Sequence, residues 1–235
     1  MWNIGIPLFN AMIMAVIFSV LMGGRMGADY GDVPFVLFYF IPFSIWIVFA
    51  DVIGRSTTIL REYSYLVSKI AFPFWVLPLI PLASALINQA VILTIVFVLL
   101  QYFNISLAAT APMYLLIAAM TLVLTIGLAY FIAAISAYLP DMSQIMPIAL
   151  NILFWLTPIL YPATMVEQSA PNWVKSIITQ ANPFYYLAEY SRYALLTGKQ
   201  IPLEALAIML SLFILIMMTG FYVFNKLKPG FADVL

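Results

Sequence analysis

Apolar residues run along this chain in six blocks, each close to the roughly 20 residues a helix needs to cross a hydrocarbon core about 30 Å thick. The blocks fall at about 2–22, 34–54, 72–100, 112–138, 144–162 and 204–225. They predict an all-α integral membrane protein of six transmembrane helices in a single domain, 1–235, with no soluble domain left over. Pro73, Pro78 and Pro81 place a kink at the start of the third span. Ala129, Ala133 and Ala137 give the fourth a small-residue face against which another helix packs closely.

Two stretches interrupt the pattern. The first, about 56–70, contains ILREYSYLVSKI. On a helix, Ile59, Tyr63, Leu66 and Ile70 form one apolar stripe with Leu60 and Val67 beside it, while Arg61, Glu62, Ser64, Tyr65, Ser68 and Lys69 take the other face. Ser56, Thr57 or Thr58 caps its start and Pro73 lies beyond its end. Such a helix is too short to span and lies flat on the membrane surface, as a bare connector or as a docking element.

The second stretch, about 163–203, is rich in aromatic residues. Pro171 and Pro183 each open a short helix, with Ser169 and Asn182 as caps and Gly198 as a C-terminal stop. The helix at about 183–197 is short for a span and fits a re-entrant or interfacial element. Tyr185, Tyr186, Tyr190 and Tyr193, with Phe184 and Trp173, suit either an interfacial belt or a stacking surface for sugar rings. Glu189 and Arg192 are spaced to pair on one helix face, which lowers the cost of charge at membrane depth.

Composition narrows the function. The chain is 66% hydrophobic and 8% charged, with a mean hydropathy of +1.10, so its apolar surface exceeds what a soluble domain buries. Zero net charge and the absence of basic runs argue against nucleic acid as a partner. With no cysteine and no histidine, disulfides, thiolate chemistry and imidazole bases are excluded. The nine acids are scattered: Asp29 and Asp32 read as solvated loop residues, and Asp51 pairs with Arg55 one turn on. An enzyme acting on lipid phosphates normally clusters carboxylates around a metal, and this sequence does not. A secondary transporter is expected to place ionisable groups at midplane, and none of the six spans does. The phosphate-loop pattern G-x-x-x-x-G-K-[ST] is also missing, so coupling energy must come from a separate ATPase. Arg55, Arg61, Lys69, Lys226 and Lys228 on one side, against Arg25, Lys175, Arg192 and Lys199 on the other, place both termini in the cytoplasm.

In order, LREYSYLVSKIAFPFWVLPL, AYLPDMSQIMPIALNILFWLTPILYP and ANPFYYLAEYSRYALL resemble the membrane subunit of bacterial polysaccharide ABC exporters. These are the type-two permeases that export O-antigen, capsule and teichoic-acid precursors. The resemblance covers nearly the whole chain. Its most specific pieces are the spacing of Lys69, Pro73 and Pro78, the run from Phe154 to Tyr161, and Asn182-Pro183 followed by Arg192.

The resemblance implies a homodimer in the bacterial plasma membrane, each subunit docked on a cytoplasmic ATPase subunit that binds the ATP and Mg. This chain then carries no cofactor and no metal. Arg61, Glu62, Tyr63, Ser64, Tyr65 and Leu66 become the ATPase-coupling residues. Two short helices at the outer face include Trp173, Asn182, Pro183, Tyr185, Tyr186 and Arg192. The first and fifth spans flank the route of a lipid-linked glycan, which Asn10, Phe18, Asn151, Phe154, Trp155 and Tyr161 line, Trp155 and Tyr161 foremost. The plainer reading is that these side chains fill the bundle core, with the two asparagines bonded between helices.

Two features depart from the family. Its members usually begin with a basic amphipathic interface helix, whereas this chain starts almost at its first span, through truncation or a different anchor. Many also carry Arg before the acid of the fourth-to-fifth loop, where Pro140 precedes Asp141 here. The alternatives are a type-two exporter of a drug or lipid, or a membrane-embedded enzyme acting on lipid-linked sugars.

Overall fold

The computed structural model describes residues 2–21, 30–31, 33–67 and 73–234, and among these every regular element is helical. The α-helices run α1 Trp2–Leu21, α2 Phe35–Ser56, α3 Ile59–Glu62, α4 Ser64–Val67, α5 Ile80–Tyr102, α6 Met113–Tyr138 and α7 Met142–Leu156. They continue as α8 Ala163–Ser169, α9 Asn172–Ser176, α10 Pro183–Arg192, α11 Leu203–Leu227 and α12 Phe231–Val234. Short 3₁₀ segments occupy Phe74–Leu79 and Lys228–Gly230, and π-helical turns Ile177–Ala181 and Tyr193–Thr197.

Among the described residues, four stretches are long and apolar enough to cross a membrane: Phe35–Ser56, Phe74–Tyr102, Met113–Tyr138 and Leu203–Gly230. Phe9–Leu21 within α1 and Met142–Leu156 are apolar but shorter. The block expected at 144–162 therefore differs from its helix, since α7 stops at Leu156. Pro158 explains the stop: it has no N–H to extend the helix, and its ring disfavours helical backbone at Thr157. The third span starts as the 3₁₀ segment that contains Pro78 before α5 takes over.

The helix expected over Ile59–Ile70 is instead two turns, α3 and α4, parted at Tyr63, where φ −106° and ψ 19° leave the helical region. Outside the helix, Tyr63 packs against an apolar cluster. The expected caps also change. Ser56 belongs to α2, and Thr58 heads α3 without a side-chain cap because its hydroxyl donates to Glu62 Oε1 at 2.6 Å. Arg25, Asp29, Asp32, Ser68, Lys69, Ile70 and the Leu66 side chain lie outside the described residues. In the 163–203 stretch three α-helices replace the expected two. Ser169 closes α8, and Pro171 itself holds the N-cap position of α9.

The chain divides into two compact units. One comprises Met1–Ile47, Asn88–Ala118 and Ile152–Pro202. It is built around the aromatic start of α2, where Phe35, Phe38, Tyr39 and Phe40 are all buried. The other comprises Val48–Ile87, Ala119–Asn151 and Leu203–Leu235. Its cluster joins Ile59, Leu60 and Leu77 to Tyr130, Ala133, Ala134 and Ala137 of α6 and to Phe224 and Phe231. Within it α6 and α11 meet backbone to backbone. A Cβ on Gly220 would run into the Gly127 carbonyl oxygen, and one on Gly127 would lie 2.5 Å from Met217 Cα. Only glycine permits that approach.

Candidate functional site

Ending a helix in an apolar setting leaves its last four carbonyls needing donors. Each of the last four in α7 has one. Thr157 Oγ1 donates to Leu153 O at 2.7 Å and Thr157 N to Phe154 O at 3.2 Å. The Tyr161 hydroxyl donates to Trp155 O at 2.9 Å, and Asn182 Nδ2 to Leu156 O at 3.3 Å. Asn182 Nδ2 also reaches Thr157 Oγ1 at 2.9 Å, while its Oδ1 accepts from Phe184 N at 2.9 Å. One buried amide thus finishes α7 and starts α10, with Pro183 in the first turn.

Arg192 extends the same arrangement. Its side chain is fully buried, at 0% exposure. Nε donates to Phe38 O at 3.0 Å, Nη1 to Glu189 Oε1 at 2.7 Å, and Nη2 to Pro158 O at 2.6 Å and Ile159 O at 2.9 Å. The guanidinium plane lies 3.6 Å above the centroid of the Phe38 ring. A planar fork with several donors suits this convergence as a lysine ammonium does not. Tyr30 completes the set by donating to Glu189 Oε2 at 2.6 Å. Burial, then the Glu189 carboxylate, push the Tyr30 phenol well above its ordinary range, so it stays a donor. The charge is tolerable because almost every polar atom in the group is bonded.

Around this node the short helices present aromatic rings. Tyr185 and Tyr186 lie 5.0 Å apart, Tyr186 and Tyr190 5.7 Å, and Tyr190 and Tyr193 6.1 Å, a continuous row. The Thr110 hydroxyl reaches the carbonyls of Tyr193 and Ala194 at 3.3 and 3.1 Å, which supports the π-helical turn. Gly198 ends it with φ +66°. Trp173 stands 69% exposed.

The route residues separate by environment. Trp155 is 50% exposed, and Asn10 and Asn151 are exposed. Tyr161 is half-buried with its hydroxyl committed to Trp155 O. Phe154 turns to Trp46, 5.5 Å between rings, and Trp46 meets Phe184 at 5.1 Å. Phe18 stacks on Phe35 at 5.8 Å. Phe154 and Phe18 are both half-buried, and Phe154 also lies 5.9 Å from the Trp155 ring.

In the other unit the coupling residues also divide. Glu62 and Tyr65 are exposed, whereas Ile59 and Leu60 are buried and Tyr63 packs on the cluster. Arg61 turns back, and its Nη2 donates to the Ser136 carbonyl near the end of α6. Arg55 Nη1 reaches Ser84 Oγ at 2.6 Å and lies 3.9 Å from Asp51. The Tyr130 hydroxyl donates to Trp75 O at 2.6 Å, pinning the 3₁₀ segment to α6.

Sequence reasoning missed Tyr30, Thr157 and Thr110, whose partners are distant in sequence. For Thr157 a signal existed, because a threonine before a helix-ending proline can bond back one turn.

Two runs that carry the resemblance, Phe154 to Tyr161 and Asn182-Pro183 to Arg192, are therefore one hydrogen-bonded node. A family model described as ABC-2 type transporter matches residues 1–196. The O-antigen export system permease protein RfbA of Myxococcus xanthus is 23% identical over 234 residues, covering 99% of this chain and 86% of the relative. A protein of the same description from Klebsiella pneumoniae is 25% identical over 239 residues, covering 100% and 86%. With the family match extending over most of its length, the chain belongs to the ABC-2 type transporter family of membrane proteins.

Proposed function

We propose that this chain is the membrane subunit of an ATP-driven exporter that moves a lipid-linked polysaccharide, of O-antigen, capsule or teichoic-acid type, to the outer side of the bacterial plasma membrane. The observation that carries this reading is similarity to O-antigen export permeases over 99–100% of the chain. The substrate is glycan, and the chain itself performs no catalysis. ATP and Mg belong to a partner ATPase, which docks on residues about 56–70 through Glu62 and Tyr65.

The same reading makes 1–235 one permease domain with six spans and cytoplasmic termini, working as a pair of copies. Two features support it. At about 1.5 Å per residue α7 is about 22 Å long, short of the hydrocarbon core. The non-helical turn from Thr157 to Tyr161, with its bonded carbonyls, completes the crossing. Second, α1 leaves Phe9, Met12, Val16 and Val20 exposed, and α7 leaves Ile145, Ile148, Ile152 and Trp155 exposed. A second copy covers such faces, leaving Trp155 and Tyr161 as a ring surface that slides along sugars without reading them.

The test is reconstitution with the ATPase subunit in liposomes loaded with a lipid-linked glycan. ATP-dependent movement of the glycan is expected, and its loss when residues 59–67 are scrambled. ATP-dependent movement of a drug or phospholipid without glycan would redirect the substrate, and movement indifferent to ATP would sink the reading. Topology is checked by labelling Lys199→Cys, which should react from outside only.

A further inference from the structure

The turn Phe231–Val234 packs where the coupling element is held. Phe231 is fully buried, in the cluster that contains Ile59 and Leu60 of α3, Leu77 of the 3₁₀ segment and Phe224 of α11. Its ring lies 5.4 Å from Phe224 and 6.1 Å from Tyr138. Three further contacts hold the chain there. The Tyr138 hydroxyl donates to Leu227 O at 2.9 Å, and Lys228 Nζ sits 5.6 Å from the Phe74 ring centroid. Gly230 lies so close beneath Tyr138 that a Cβ would collide with the hydroxyl. The segment lies beyond residue 196, where the family match ends.

Helical turns as short as α3 and α4, four residues each, do not hold themselves. α3 has no side-chain cap, and Tyr63 breaks the backbone between the two turns. The position of α3 comes from the cluster beneath it and from Arg61 on the Ser136 carbonyl. An element that yields locally transmits no force, whereas a close-packed cluster resists compression and passes displacement on.

We infer that residues Lys228–Val234 form a brace for the coupling element, with Phe231 seating α3 against α6 and α11 so that ATPase motion at Glu62 and Tyr65 reaches both long helices. Phe231 is a positioning residue in this scheme and touches neither ATPase nor glycan. The inference rests on the docking of the ATPase at residues 56–70 proposed above.

The test uses the full chain reconstituted with its ATPase and follows two quantities: glycan exported per ATP hydrolysed, and amide hydrogen exchange across residues 59–67. Phe231→Ala should lower the export ratio about fivefold or more, in the range of a typical coupling energy. It should also speed exchange at 59–67 about tenfold, with Phe231→Leu restoring most of both. The Tyr138 hydroxyl tests the same seat without opening a cavity. Gly230→Ala should speed exchange at 59–67 about threefold by displacing that hydroxyl, and should add little in a Tyr138→Phe background. An equal effect of Gly230→Ala in both backgrounds, or none at 59–67 in either, overturns the brace. Glu62→Ala with Tyr65→Ala separates the two readings. If that pair leaves ATPase binding intact, the docking reading falls and the brace with it. If binding is lost there while Phe231→Ala changes neither quantity, the brace alone falls.

Discussion

Around Asn182 and Arg192 the short helices of the 163–203 stretch are fixed by directed bonds: one amide with three partners, and one guanidinium with four acceptors and an aromatic face. The turn α3 is fixed mainly by apolar packing, with the Arg61 contact to Ser136 as a directed tie. Both regions consist of helices that could not stand alone. Directed bonds in a low-dielectric setting tolerate almost no displacement, because a stretched bond strands a buried charge. Apolar contact is non-directional and survives small rotations. The node at Asn182 and Arg192 thus resists displacement more strictly than the cluster around α3.

The largest expected effect breaks the node at Arg192. Arg192→Leu leaves Glu189 buried without its cation and strips the carbonyls of Phe38, Pro158 and Ile159 of their donor. Breaking a buried pair from one side costs about 3–5 kcal/mol, a large share of total stability. The folded yield in detergent should collapse. Arg192→Leu combined with Glu189→Leu should recover part of the melting temperature, since the orphaned carboxylate is gone. If the second change does not help, the stranded carbonyls rather than the carboxylate account for the loss.

Next comes the glycine contact between α6 and α11. Gly220→Ala forces a methyl into the Gly127 carbonyl, where the obstacle is backbone and cannot rotate away. Overpacking of about 1–3 kcal/mol is expected, read as a fall in melting temperature. An unchanged melt would show that α6 and α11 part freely at this point.

The long apolar helices and the helix-opening prolines were legible because a single length scale and a single dihedral restriction dictate them. Asn182 as a cap and the Glu189 with Arg192 pair were legible for the same reason, their partners being two and three residues away. Three features were not. The expected helix at 59–70 divided because Tyr63 answers to a cluster assembled from distant residues, Leu77, Tyr130 and Phe231 among them. The fifth block reads as apolar over about 144–162, and hydropathy does not register that Pro158 ends the helix while side chains of Thr157, Tyr161, Asn182 and Arg192 bond the carbonyls of Leu153, Trp155, Leu156, Pro158 and Ile159. Helix geometry turns Phe154 about 100° away from the half-exposed Trp155, but it does not reveal that Phe154 meets Trp46, a partner distant in sequence.

Asn182→Ala is expected to be milder than the changes at Arg192 and Gly220. It removes an N-cap, typically about 1 kcal/mol, and leaves Thr157 and Leu156 without one donor each. Asn182→Asp keeps the acceptor for Phe184 N but loses the donor, so it should fall between wild type and alanine in a thermal melt. If aspartate equals wild type, the tie to α7 contributes nothing.

Tyr161→Phe carries the smallest expected effect and separates structure from transport most cleanly. The change keeps the ring and deletes only the hydroxyl that donates to Trp155 O, so the loss should be about 1 kcal/mol, the net worth of one hydrogen bond. If the ring serves a glycan path by stacking, export per ATP should stay near wild type, since the aromatic face is intact. Trp155→Ala keeps the backbone carbonyl that Tyr161 holds while removing a half-exposed ring, so it should cut export with little change in melting. The two substitutions then move different observables, stability for Tyr161→Phe and transport for Trp155→Ala. If Trp155→Ala instead lowers the folded yield and leaves export per folded complex unchanged, the ring is packing, and the path must be sought on other exposed residues of α1 and α7.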